Sequence, residues 1–185
     1  MVGSQQLKAP AIPLGSTAIK TFLDQLANYA DYHRSARNIT THLVGVPLIV
    51  MAIFVLLSRP VWLVDDIPLS PAVGLAIVFV LYYLRLNFGF GLIMGALFAG
   101  GLVFGAAVAA LEDTVWLLVG VGGFFVGWVI QFVGHYFEGR KPAFFDDVMG
   151  LAIGPLFVVA EVLFKLGAYA QLQREIEERA GPLRP

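Results

Sequence analysis

Four long stretches of the chain carry no charged side chain: residues 43 to 58, 67 to 84, 86 to 111 and 114 to 137 contain no Asp, Glu, Lys or Arg. Their apolar residues run continuously instead of alternating, and an isolated strand would leave its backbone unsatisfied in hydrocarbon, so the pattern predicts helices. A crossing helix needs about 20 mostly apolar residues. Four transmembrane spans follow, about 40–57, 67–85, 88–111 and 114–138, the first two being shorter. Ahead of them, from the N-cap residue Ser16, the apolar positions Ile19, Phe22, Leu23, Leu26 and Ala30 recur at helical spacing while Lys20, Asp24, Asn28 and Asp31 face away. Residues 16–36 therefore predict an interfacial helix lying on the membrane surface.

Beyond the fourth span, residues 148–167 form a fifth apolar segment interrupted by Pro155, Glu161 and Lys165. Periodicity leaves it open as re-entrant, interfacial or crossing, and the non-crossing version is favoured. Residues 1–15, rich in Pro, Gly and Gln, predict a mobile leader, residues 59–71 a loop, and residues 171–185 a charged tail that is helical at most in part. Pro47 is expected to kink the first span. Gly91 and Gly95, Gly101 and Gly105, and Gly123 and Gly127 stand four apart and predict close helix approach. The fold class read from these patterns is all-α. It is a polytopic membrane helix bundle in one domain, residues 16–170, with four spans, an N-terminal interfacial helix and a fifth re-entrant or interfacial segment.

Composition strengthens the membrane reading. Hydrophobic residues make up 58% of the 185 positions, charged residues 14%, and mean hydropathy is +0.80, more apolar surface than a soluble core of this size hides. A net charge of −1 and the lack of a Gly-rich phosphate loop after a strand argue against nucleic-acid binding. Without cysteine there are no disulfides, thiolate ligands or iron–sulfur clusters, so any metal must be held by nitrogen or oxygen. In the four-span arrangement Lys20, Arg34, Arg37, Arg85, Arg140 and Lys141 fall on one side, against Arg59 on the other, which predicts a cytoplasmic N-terminus.

That topology puts all three histidines of the chain, His33, His42 and His135, at one membrane boundary. Imidazole is a good ligand for iron, zinc or copper. On one straight helix His33 and His42, nine residues apart, would point to opposite faces about 13.5 Å apart along the axis. A shared site requires a break between Arg34 and Thr41, where Asn38, Thr40 and Thr41 are cap signals. On the fourth span Gly127, Gln131, His135 and Glu138 form one stripe that should face the bundle interior. Gln131 or Glu138 on it is placed to orient a ligating histidine from behind. For any one histidine alone, an interfacial imidazole satisfied by backbone or water is the bland account. Glu161 is either an i, i+4 partner of Lys165 or a carboxylate serving the histidines. Arg140 and Lys141 are topology anchors or, alternatively, hold a substrate carboxylate at headgroup level. Asp146 and Asp147 look like a helix start.

The segments YADYHRSARNITTHLVGVPL (29–48), QFVGHYFEGRKPAFFDD (131–147) and GPLFVVAEVLFKLG (154–167) resemble the fungal-type 2-hydroxy fatty acid dioxygenases. The resemblance covers most of residues 25–167. It implies an iron-dependent oxidoreductase that shortens 2-hydroxy acyl chains by one carbon, with Fe(II) as cofactor and a 2-hydroxy fatty acid, O₂ and membrane lipid as partners. Carried over by position, it implies His33, His42 and His135 as metal ligands and matches Asn38, Glu138 and Glu161 to neighbouring polar positions. The candidate site is then His33, His42 and His135 for the metal, Glu138 and Glu161 for catalysis, Arg140 and Lys141 for substrate, and Asn38 and Gln131 in support. The membrane is the inner membrane in a bacterium or the endoplasmic reticulum in a eukaryote. A zinc hydrolase with the same three histidines, a haem held by His42 and His135, and a non-enzymatic scaffold or transporter stand as alternatives.

Overall fold

The computed structural model describes residues 20–65, 67–143 and 146–185; the expected leader, the Ser16 cap and Ile19 lie outside the described residues. The protein is an all-α membrane helix bundle. Its helices are α1 (Phe22–Asp31), α2 (Ala36–Leu57), α3 (Pro71–Leu86), α4 (Phe88–Ala109), α5 (Asp113–Glu138), α6 (Met149–Lys165) and α7 (Ala170–Ala180). A π-helical turn, Leu118–Gly122, is set within α5. Helices α2, α4 and α5 are long and apolar enough to cross a membrane.

Two clusters of contacts define the ends of the bundle. At one end Arg59, just past α2, donates to Ala109 O at 2.8 Å and Leu111 O at 2.7 Å and pairs with Asp113 at 2.6 Å. Those bonds tie the C-terminus of α2 to the turn between α4 and α5. At the other end lie the N-termini of α2 and α4 and the C-terminus of α5, together with α1, α6 and α7. There Lys20 pairs with Asp147, Arg140 with Asp31, Lys141 with Asp146 and Arg179 with Asp24.

Several boundaries differ from the sequence expectation, each for a local reason. The second apolar stretch begins its helix at Pro71, not at residue 67, because Ile67–Leu69 pairs antiparallel with Trp62–Val64 in a hairpin, β1 and β2. Proline fits the first turn of a helix and not its interior. The resulting α3 has 16 residues, about 24 Å of rise against a hydrocarbon thickness of about 30 Å. Helix α1 is shorter than residues 16–36: Thr21 and Asp24 close a capping box at its start and the chain leaves the helix at Tyr32. Pro47 lies inside α2, which continues through it as one helix. The fifth segment forms α6, then turns through 119° into α7, with Gly167 and Tyr169 in left-handed conformation at the corner. The tail is helical in part, as expected: α7 ends at Ala180 and packs on α1.

Glycines set how closely α2 is approached. A Cβ at Gly101 would stand 2.7 Å from the Phe54 ring and one at Gly105 2.8 Å from Phe54 O, so α4 lies hard against α2. On the opposite flank a Cβ at Gly127 of α5 would meet Ile49 at 2.6 Å, and one at Gly134 would run into Thr41 Oγ1 and Asn38 Oδ1. This tight α2–α5 seam carries the buried stripe Gly127, Gln131, Gly134, His135 and Glu138.

Candidate metal centre

His33 sits in the four-residue joint between α1 and α2, His42 on the second turn of α2 and His135 on the last turn of α5. All three are buried, and one ring nitrogen from each lies within 4.8 Å of the others. The ring centroids form a near-equilateral triangle, 4.5, 5.0 and 5.1 Å on a side. Such a triangle leaves no plane for a porphyrin between His42 and His135.

The backbone fixes which nitrogen faces inward. His33 Nδ1 lies 2.6 Å from Tyr29 O and His42 Nδ1 lies 2.9 Å from Asn38 O, each four residues back. A neutral imidazole that donates through Nδ1 presents a bare Nε2 lone pair. His33 Nε2 and His135 Nδ1 are buried without any hydrogen-bond partner. Buried polar atoms left unpaired are costly, and a cation placed among these nitrogens would satisfy them together. Tyr29 also stacks on His33 at 4.1 Å and 8°. Burial, then the neighbouring His42 and His135, hold the His33 imidazole well below its ordinary value, in the neutral form a metal requires. The donor set fits a metal ion.

The joint between α1 and α2 has the break the shared site needs, at residues 32–35, nearer His33 than the cap signals suggested. Asn38, Thr40 and Thr41 all lie inside α2, and the N-cap residue Ser35 makes no side-chain cap. The cap comes instead from α5. Glu138 accepts from Arg34 N–H at 3.1 Å, Ser35 N–H at 2.9 Å and Asn38 Nδ2 at 2.9 Å, and Arg184 completes the cluster. A buried carboxylate at a helix N-terminus meets both the free N–H groups and the positive end of the helix dipole. Arg184 O receives the Ala36 N–H at 2.8 Å, while Arg184 N–H donates to Arg34 O at 2.7 Å. The chain's C-terminal stretch therefore clips onto the joint that carries His33.

An apolar cavity of about 300 Å³ opens beside the triangle. His42, His135, Gln131 and Tyr29 line one part, and Val46, Ile49, Ile53, Phe124, Trp128 and Pro155 are among its apolar walls. From His42 to Ile53 it follows α2 for about 16 Å. Gln131 is 4% exposed, and neither its Nε2 nor its Oε1 has a partner. Its amide does not reach a histidine nitrogen from behind, the role expected of it. Asn38 holds His42 through its backbone carbonyl and Glu138 through its side chain. Glu161 is buried but makes no hydrogen bond or close ion pair among the described residues, including with Lys165. Arg140 and Lys141 stay outside the cavity lining: Arg140 binds Asp31 and covers the Tyr32 ring at 3.8 Å, and Lys141 binds Asp146 at 2.6 Å.

Comparison with known proteins decides the lineage. A profile described as 2-hydroxy-palmitic acid dioxygenase Mpo1-like matches residues 19–166. The chain belongs to the Mpo1-like family. It is 34% identical over 155 residues to the 2-hydroxy-palmitic acid dioxygenase MPO1 of Saccharomyces cerevisiae, covering 83% of this chain and 86% of the yeast protein. No solved structure matches. The Mpo1-like region contains the histidine triangle, Glu138, Gln131 and the cavity, whereas Arg184 lies beyond it. Tyr29, Arg34 and Arg184 support the centre without having been singled out from the sequence. Tyr29 alone left a trace there, standing one helical turn before His33.

Proposed function

We propose that this protein is a membrane dioxygenase that shortens a 2-hydroxy fatty acid by one carbon, using Fe(II) held by His33, His42 and His135. The observation that carries the reading is the convergence of three imidazoles, two of which, His42 and His135, line an apolar cavity within the bundle. The yeast relative's name supplies the substrate class. Three neutral imidazoles leave an iron's charge uncancelled and coordination positions open. When bound, ferrous iron supplies the activation of O₂ and a seat for a chelating 2-hydroxy carboxylate. One 2-hydroxy acid and one O₂ give the shortened acid, CO₂ and water, a balance that needs no external reductant.

The chain's own residues provide everything around that chemistry. Val46, Ile49, Ile53 and Phe124 receive the acyl chain and keep water away from it. Tyr29 O and Asn38 O hold two rings in the tautomer that points Nε2 inward. Glu138 acts as a positioning residue for α2 and the His33 joint, and Glu161 is a buried carboxylate, within electrostatic reach of Arg34, that is available to carry a proton. Arg140 and Lys141 set the headgroup level of this end rather than gripping the substrate inside the cavity.

With this end cytoplasmic by the excess of Lys and Arg, α6 and α7 stay on the same side. Tyr83 OH donates to Ala152 O at 2.7 Å, and Arg179 reaches Asp24 at 2.7 Å. The test is direct: load purified protein anaerobically with Fe(II), add 2-hydroxy fatty acids, admit O₂ and look for acids one carbon shorter. His33→Ala, His42→Ala and His135→Ala should each abolish the product. Absence of shortened acid at every chain length, or a product formed with zinc in place of iron, overturns the reading.

A further inference from the structure

Among the described residues, Gln131 is the one side chain lining the cavity whose two polar atoms are both buried and both unpartnered. It stands one helical turn before His135 on the same face of α5, and Cβ atoms at that spacing lie about 5–6 Å apart. That is the reach of a small polar head placed between the two residues. Its amide lies over Gly45 of α2, where a methyl group would come within 2.8 Å of Nε2, so the missing side chain of Gly45 makes the space that this amide occupies. A buried amide with an unused donor and an unused acceptor is costly to the protein alone, and a ligand carrying the complementary pair removes the cost.

We propose that Gln131 is the residue that reads the 2-hydroxyl group. Its Oε1 accepts from the substrate hydroxyl while its Nε2 donates to a carboxylate oxygen of the same head, so an unsubstituted fatty acid leaves Oε1 unpaired. A site built to hydrogen-bond a hydroxyl discriminates against the analogue lacking it far better than an apolar pocket does. The inference rests on the dioxygenase reading above, because that reading supplies the 2-hydroxy acid.

The experiment compares anaerobic, Fe(II)-loaded full-length wild type with Gln131→Leu and Gln131→Met, two apolar replacements of similar length. Affinities for 2-hydroxy-palmitic acid and palmitic acid are measured by calorimetry in detergent, with iron content and melting temperature for each protein. Wild type should prefer the 2-hydroxy acid, and in both variants that preference should fall by about tenfold to a hundredfold. Iron content should be unchanged and melting temperature equal or higher, since an unpaired buried amide has been removed. A variant that keeps the wild-type preference overturns the assignment while leaving the dioxygenase reading intact. A lower melting temperature with equal losses for both acids assigns Gln131 to the fold and also overturns it. A wild type with no preference for the 2-hydroxy acid removes the dioxygenase reading and this inference with it.

Discussion

Replacing Glu138 by Gln tests whether the centre is held together from α5. The side chain is 1% exposed and its two oxygens divide their donors: Oε1 takes Arg34 N–H and Arg184, Oε2 takes Ser35 N–H and Asn38 Nδ2. A glutamine keeps one acceptor oxygen, and the cheaper arrangement keeps the Ser35 and Asn38 side, because the Arg184 side chain is 61% exposed and can turn to water. The loss is then one buried N–H to a charged acceptor plus the charge at the α2 N-terminus, about 2–3 kcal/mol. At about 2–4 °C per kcal/mol for a chain of this size, the melting temperature in detergent should fall by about 4–12 °C. Glu138→Ala, which strands every donor, should cost about 3–5 kcal/mol. Because the same bonds seat the His33 joint, ferrous iron affinity should drop about 10- to 100-fold in an anaerobic titration. A Glu138→Gln protein with wild-type melting and wild-type iron affinity but no turnover would refute the positioning role and return the carboxylate to the chemistry.

Neighbouring glycines on α4 should answer oppositely to alanine. Gly100 has open space around its missing Cβ, so Gly100→Ala should be neutral or stabilise by up to about 1 kcal/mol, whereas Gly101→Ala drives a methyl into buried Phe54 at 2.7 Å and should cost about 1–3 kcal/mol; equal melting temperatures would contradict the packing. Gly134→Ala, whose methyl would run into Thr41 and Asn38, should push α5 from α2 and lower iron occupancy along with stability, and full occupancy would refute it. Ferrous iron at about a hundred times its dissociation constant should stabilise the wild type by about 2.7 kcal/mol, read as a raised melting temperature that a chelator reverses and that is smaller in the histidine variants.

Much of this was legible because membranes make sequence patterns coarse. Uncharged runs outline α2, α4 and α5, and the stripe from Gly127 to Glu138 does face inward, because a helix in lipid has few other places for polar groups. The meeting of His33, His42 and His135 followed from topology and a required break. What escaped was supplied at a distance. The α2 N-terminus is capped by Glu138, about a hundred positions on, so the local Asn38 and Thr signals misplaced the break. Arg184 reaches the same carboxylate from a tail whose charge pattern marks only solvent exposure. The hairpin that delays α3 to Pro71 is three apolar residues pairing with three others, a length at which strand and helix read alike.

X-ray absorption of the iron-loaded protein reads the ligand shell itself. One iron per chain is expected, with three imidazole rings in its scattering shell, reduced to two by His33→Ala. A spectrum with one imidazole or none, or one unchanged when His33 is replaced, would contradict it.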